Sequence, residues 1–351
     1  MLKMKKMSLR LLLVTFLSLF FFVATSTEAE VITASTKRTN KGSQVNKKAT
    51  VSFVNFSNKT VPLYWYSGYD LDGGFVDVGA MPPYGTRDLD TFVGHTFGYR
   101  VNSNDDNDAQ DGEEGEKLTT YTIEDSTYHN VHIIEQQQPK TAKTIPVLCK
   151  TTQGDIHINV KPKWSPLGAA RFLELVHIKY FDGCALNRVV KNFLTQFGIS
   201  ADYEMRTDYR NKAIKDDKQL DPRIQFQPGY MSYAGSGPNS RTSEVFIVMP
   251  NTRQTQLNAF GSENPWETPF GYVNPTDVEE VVGKWYSAYG DMSPWGDGPD
   301  PQKIYIKNGY DLYLKHEYPN LDYINECHIV GDGDDLEGFD LEDEEEEEEE
   351  L

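Results

Sequence analysis

Positive charge and cysteine are both scarce in this 351-residue chain. Lys and Arg total 34 against 53 Asp and Glu, a formal charge of −19. That balance argues against nucleic acid or an anionic membrane surface as the main partner. Only three cysteines occur, with no CxxC pair and no Cys/His cluster at zinc spacing, so no metal and no cofactor is expected. GxSxG, HExxH and P-loop motifs are missing, and the seven His residues are scattered without a nucleophile partner. Beyond the N-terminus no apolar run is long enough to span a bilayer, and no internal repeat links one part of the chain to another.

What is present begins with an address. Lys3, Lys5, Lys6 and Arg10 precede an apolar run from Leu11 to Ala24, followed by small and polar residues. This is the layout of a secretory signal peptide over 1–29. It implies a secreted or endomembrane-lumen protein with no membrane contact after signal removal; a plastid or vacuolar destination stays open. In an oxidising compartment disulfides form. Cys149 and Cys327 fall in the first and last strands expected of the second domain and are candidates for pairing; the odd number leaves at least one cysteine free or paired outside the chain. Asn55-Phe-Ser57 and Asn58-Lys-Thr60 read as glycosylation sequons.

The mature chain divides by pattern. Residues 30–47 form a polar linker. From 48 to 136, short β-like runs such as Val51 to Phe56, Val61 to Tyr66 and Thr91 to Val101 are separated by turn residues, which predicts a β-sandwich. Its segment 102–117 is highly acidic but lacks calcium-loop spacing. Residues 137–144 form a hinge. A second domain over 145–330 opens with strands and then a helix, with Ser165 as N-cap and Pro166 at the first helical position. Ala169, Phe172, Leu173 and Val176 mark its buried face. A second helix is predicted from Thr276, with Glu279 completing a capping box. Many strands with two helices point to a barrel capped by helices. Fourteen acidic residues and no basic ones fall in 331–351, an acidic disordered tail that holds most of the net charge.

Two segments of the second domain carry the chemistry. One runs Leu186-Asn-Arg-Val-Val-Lys-Asn-Phe-Leu-Thr-Gln-Phe-Gly198, the other Gly229-Tyr-Met-Ser-Tyr-Ala-Gly-Ser-Gly-Pro-Asn-Ser-Arg-Thr-Ser-Glu-Val-Phe-Ile247. Together with Tyr180-Phe-Asp-Gly183 and Pro269-Phe-Gly-Tyr-Val273, they resemble the cyclophilin-type peptidyl-prolyl isomerases over about 180 residues. The resemblance implies an eight-stranded closed barrel with a helix over each end. It also implies proline-containing peptide or protein clients. In residue terms it implies Arg188 and Gln196 as catalytic groups and Phe193, Leu194, Ala234, Glu244, Phe246 and Leu257 as the substrate groove.

The physics of such a site stands independently. Rotation about a peptide bond faces a barrier of ~18–20 kcal/mol. Twisting the X–Pro bond returns a lone pair to the prolyl nitrogen, so a fixed cationic donor aimed there favours the twisted state over either planar one. Arg188 cannot lose its proton and presents a rigid fork of N–H groups. Phe193, Leu194, Phe246 and Leu257 would form the apolar slot for the ring, Gln196 would orient the arginine, and Ala234 would line the groove. Departures from the family pattern are Glu244 for Gln, Gly235 for Asn, and Gln256 and Glu267, beside Trp266, for the usual Trp and His. An acid at 244 could pair with Arg188 and divert it.

The first domain carries a second resemblance. Trp65, Met81-Pro82-Pro83 and Thr91-Phe-Val-Gly-His-Thr-Phe-Gly-Tyr-Arg100 are similar to the β-domain of the von Hippel–Lindau tumour suppressor. This implies a proline or hydroxyproline peptide pocket lined by Trp65, Thr91, His95 and Phe97. The ligase-recruiting helical part has no counterpart, so no ubiquitin-ligase subunits are expected as partners. The fold class is therefore mainly β, a sandwich followed by a barrel. The leading expectation is a prolyl isomerase of the secretory route; a non-catalytic proline-peptide-binding or structural extracellular protein is the alternative.

Overall fold

The computed structural model describes residues 47–57, 59–67, 74–102, 116–125, 130–134, 144–331 and 337–339. The signal peptide at 1–29, the linker except Lys47, the hinge except Thr144, most of the acidic segment 102–117, the sequon at Asn58 and most of the tail lie outside them. Among the described residues no helix is long and apolar enough to cross a membrane.

Seven strands make up the N-terminal part: β1 (Lys48–Asn55), β2 (Val61–Tyr66), β3 (Phe75–Met81), β4 (Thr86–Phe92), β5 (Thr96–Asn102), β6 (Glu116–Thr122) and β7 (Asn130–Ile134). They form a three-stranded sheet in the order β4-β1-β7 and a four-stranded sheet in the order β3-β2-β5-β6. Val51 and Phe53 of the first sheet and Val61, Leu63, Met81, Phe97 and Tyr99 of the second share one apolar cluster. The run Val51-Ser-Phe-Val-Asn55 is buried throughout rather than alternately. The reason is that β1 is covered on both faces: Val51 and Phe53 point into this cluster, whereas Val54, with Phe56 beyond the strand, belongs to the core of the second half.

Asn55 is fully buried. Its side-chain amide donates to the carbonyls of Lys59 (2.8 Å) and Pro82 (2.9 Å), and its Oδ1 accepts from the Ser57 backbone N–H (2.9 Å) and hydroxyl (2.7 Å). The first sequon is therefore a turn brace, closed to glycosylation in the folded chain, because its amide nitrogen is already committed.

The second half supplies β8 (Ile145–Thr151), β9 (Gly154–Val160), β10 (Cys184–Ala185), β11 (Arg188–Val190), β12 (Leu194–Phe197), β13 (Tyr230–Tyr233), β14 (Val245–Val248), β15 (Gly271–Val273) and β16 (Tyr323–Ile329). The eight-stranded closed barrel expected from sequence is corrected to one nine-stranded sheet in the order β10-β16-β8-β9-β15-β13-β14-β12-β11. Among the described residues no ladder joins the edge strands β10 and β11; each is only two or three residues long, so neither offers enough backbone to close the circle. Cys149 and Cys327 stand opposite each other on β8 and β16, their Cα atoms 4.1 Å apart, and form a disulfide. Cys184 is free and buried, and burial pushes its thiol up to about 12.

Helix α1 (Pro166–His177) buries Ala169, Phe172, Leu173 and Val176 as the spacing predicts. It packs against β16, β1 and β4. Ser165 occupies the N-cap position but makes no capping bond. The capping group is Asp217, some fifty residues on, which accepts from the backbone N–H of Leu167 (2.9 Å) and Gly168 (3.0 Å) and from the Ser165 hydroxyl. Fully buried Arg241 donates to the same carboxylate through Nη1 and Nη2, both at 3.1 Å. A carboxylate suits this place because it meets the positive end of the helix and a guanidinium together.

Three further short helices, α2 (Tyr203–Tyr209), α3 (Gln254–Ala259) and α4 (Pro275–Glu280), precede α5 (Pro301–Tyr305) and α6 (Lys315–Glu317). The second capping helix expected from Thr276 is thus only the six residues of α4. Its cap is Asn274, whose Oδ1 accepts from Thr276 N–H at 2.9 Å, with Pro275 at the first helical position. The Asn-Pro pair starts the helix one residue early, and Val282 to Lys284 tighten into a 3₁₀ turn.

Asp217→Ala should destabilise the second half by about 1–3 kcal/mol, because it uncaps α1 and leaves buried Arg241 with Asp216, at 3.4 Å, as its carboxylate partner. Denaturant unfolding checks this; Ser165→Ala, which removes the nominal cap alone, should cost a fraction as much.

Candidate active site

Strand register gathers the site. Arg188 on β11 stands opposite Gln196 on β12, and Gln196 opposite Phe246 on β14. Side chains alternate faces along a strand, so this row and Leu194, two residues from Gln196, share one face. Phe197, Val245 and Ile247, one step out of phase, point into the main core.

Arg188 is three-quarters or more buried and multiply held. Its Nη1 donates to Gln196 Oε1 at 3.1 Å. Its Nε and Nη2 donate to the two carboxylate oxygens of Asp291, at 2.7 and 3.2 Å. Gln196 passes the contact on: its Nε2 donates to Glu244 Oε2 at 2.8 Å, and the Tyr305 hydroxyl donates to Glu244 Oε1 at 2.9 Å. The pairing of Glu244 with Arg188 raised by the sequence is corrected: Gln196 stands between them, and the acid that engages the arginine is Asp291. Burial raises the Glu244 carboxyl above the usual carboxylate range, opposed by the hydrogen bonds from Tyr305 and Gln196.

The apolar positions come together. Leu194, Phe246 and Leu257 form one cluster with Phe226, Val248 and Phe260, and Phe193 and Tyr230 pack on it half-buried. Phe260 lies parallel to Phe193 (centroids 5.5 Å, 13°) and 5.1 Å from Phe246 and from Phe226. The slot read from sequence is thus corrected: Leu194, Phe246 and Leu257 form a floor covered by the chain's own rings, and Phe193 is the named ring that keeps exposed surface. Ala234, half-buried, follows β13 and donates its N–H to the Glu244 carbonyl at 3.0 Å.

Sequence reasoning missed Asp291, Phe226, Phe260 and Tyr305. Phe226 and Asp291 lie in segments without periodicity and Phe260 ends a six-residue helix, so no spacing marked them.

The family departures explain one another. A Cβ on Gly235 would meet Trp266 at 2.7 Å, so the indole takes the space a longer side chain would need. Gln256 accepts from Arg253 N–H at 3.3 Å and caps α3. Glu267 accepts from Gly261 N–H (3.2 Å) and Asn264 (3.0 Å), and burial raises its carboxyl.

In the N-terminal part, Thr91 Oγ1 and His95 Nδ1 lie 2.9 Å apart, and the Trp65 and His95 rings are 5.5 Å apart. The Trp65 indole N–H is buried, with no partner among the described residues. Phe97 stands opposite Trp65 across β2 and β5 but is 4% exposed and packs 5.2 Å from Phe53. It is core rather than pocket lining. Burial lowers the His95 and His132 pKa values. Among the described residues no group of His, Cys, Asp and Glu is arranged to hold a metal.

These shifts have opposite signs. Lowered histidines stabilise the neutral ring, so their contribution to folding is present above the unfolded value of 6.5 and is lost as pH falls through their folded values. Glu244 is raised, so its cost is absent below 4.5 and grows as pH rises through its folded value. Glu244→Gln should therefore raise the melting temperature at pH 8 and give no advantage at pH 4, as thermal unfolding at the two pH values will show.

Residues 145–307 match the family model of the cyclophilin type peptidyl-prolyl cis-trans isomerase/CLD. "Peptidyl-prolyl cis-trans isomerase 9" of Schizosaccharomyces pombe is 27% identical over 139 residues, covering 37% of this chain and 22% of its own length. "Peptidyl-prolyl cis-trans isomerase-like 1" of Rhizopus delemar is 29% identical over 108 residues, 30% of this chain and 64% of its own length. The chain spans less than two thirds of the length of these curated relatives. A crystal structure of a cyclophilin type isomerase from Cryptosporidium parvum aligns with 54% of this chain and 98% of its own, at 18% identity and a TM-score of 0.36. The comparisons thus support a cyclophilin-type peptidyl-prolyl cis-trans isomerase domain over residues 145–307.

Proposed function

We propose that this chain isomerises X–Pro bonds of client proteins in the secretory route, through the site around Arg188. The observation that carries the reading is the guanidinium itself. It is fixed by Gln196 beside an aromatic cluster, and two of its five N–H groups have no partner among the described residues. A client would lie along the groove side of β13 and β14 with its prolyl ring on the exposed surface of Phe193. Spontaneous exchange takes roughly tens to hundreds of seconds. As the bond twists, the lone pair localises on nitrogen and the preset N–H groups of Arg188 meet it without reorganising. Gln196 holds the arginine and is itself held by Glu244. No covalent step and no proton transfer is required.

The two N-terminal sheets are read as a sandwich that gathers proline-containing or hydroxylated segments. Trp65, Thr91 and His95 form its contact point. Two weak modules on one chain raise the local concentration of client at the catalytic site. The signal peptide, hinge and acidic tail belong to the same reading, which places the protein in the secretory lumen.

A second reading, proline-peptide binding without turnover, is favoured by one observation: Phe260 and Phe226 cover the apolar floor. A protease-coupled assay on an X–Pro peptide separates the two. Arg188→Ala should lower kcat/KM by about 100-fold, the scale of losing one preorganised charge-stabilising donor. Equal rates for variant and wild type would leave binding as the function. Trp65→Ala should weaken capture of a proline-rich peptide, read by titration calorimetry, while leaving turnover of a short X–Pro peptide unchanged.

A further inference from the structure

Arg188 is held by more than its neighbour in the sheet. We propose that Asp291 is the positioning residue of Arg188, a role that deepens the isomerase reading and rests on it. The carboxylate takes one edge of the guanidinium in bidentate fashion, Nε to Oδ1 and Nη2 to Oδ2, while Gln196 takes one N–H of Nη1. The two N–H groups left over are one on each terminal nitrogen. The arginine is thereby locked about its long axis with its tip still open. A carboxylate that blocked the site would have taken the tip rather than the edge.

The loop that delivers Asp291 is built for it. Gly290, at φ +70°, bridges to Val189, the residue after the arginine on β11. Asp291 Oδ1 also accepts from Met292 N–H at 2.7 Å, which fixes the carboxylate plane. Gly298 N–H donates to the Asp291 carbonyl at 2.8 Å. A Cβ at Gly296 or Gly298 would lie 2.5 or 2.7 Å from the Asp291 carbonyl oxygen, so the loop folds back on Asp291 only because both positions are glycine. The pair is partly screened from water, with Arg188 at 17% and Asp291 at 25% side-chain exposure. Such a pair is geometrically specific, and Asn, with one acceptor, cannot reproduce it.

The gain is orientational. A long side chain that must be still when the peptide bond twists is stilled before the client arrives. Asp291 acts on the arginine and not on the client, so client affinity owes little to Asp291 and turnover owes much.

The test uses the full chain and one X–Pro peptide. Asp291→Asn should lower kcat by about tenfold, as expected for a misaligned catalytic group, with peptide affinity within about twofold. Asp291→Ala should lower it further. In an Arg188→Ala background, Asp291→Ala should have no additional effect, because it acts only through the arginine; a loop that merely supports the fold would lower turnover in both backgrounds. Nitrogen-15 NMR should show the Arg188 Nε–H resonance protected in the wild type and exchanging in Asp291→Asn. Wild-type or faster turnover in Asp291→Asn, alongside a slow Arg188→Ala, overturns the positioning role alone. So does a further loss in the double variant, or an Nε–H resonance indifferent to Asp291→Asn. An Arg188→Ala variant as fast as wild type overturns the isomerase reading and this proposal with it.

Discussion

The site depends on keeping one guanidinium still without sealing it off. An arginine has several rotatable bonds and enough reach to satisfy itself on any nearby oxygen. Here β11 and β12 place Gln196 directly across from Arg188, and a glycine-hinged loop places a carboxylate along its edge. The remaining polar groups follow from that. Gln196 has a fixed amide orientation because Glu244 takes its Nε2, and Glu244 is tolerable in a buried place because Tyr305 and Gln196 both donate to it. An acid at position 244 is thus part of a chain of hydrogen bonds ending at the arginine, rather than a competitor for it.

The departures from the family pattern form coupled sets. Trp266 covers Gly235, so the loss of a side chain at 235 and the gain of an indole at 266 are one packing solution. Phe260 and Phe226 stack over Phe246 and Phe193, so the floor that an imino-acid ring would approach is already aromatic and filled. The apolar end is therefore packed by the chain's own rings and the charged end is braced by Gln196 and Asp291.

Legibility in the sequence followed the range of the interaction. Arg188, Gln196 and Phe246 could be placed together because the two motifs that hold them resemble the cyclophilin pattern, and strand register sets them in one row across β11, β12 and β14. The buried face of α1 was legible because helical spacing acts over a few residues. Its cap was not: Ser165 has the right chemistry at the right position, yet the bonds come from Asp217, which no local rule connects to residue 167. Phe97 read as a pocket residue through the resemblance of its motif; the packing of Phe53 shows which way the ring points. Ring closure of the sheet was equally illegible, since it turns on the shortness of two edge strands.

The Cys149–Cys327 bridge joins the first and last strands of the second half, 178 residues apart. Nearly the whole isomerase segment is consequently a covalent loop, with Arg188, Gln196, Glu244 and Asp291 all inside it. A protease that nicks any one exposed turn between the two cysteines leaves both fragments tied together. In an oxidising lumen a single cleavage therefore opens the ring without releasing either piece.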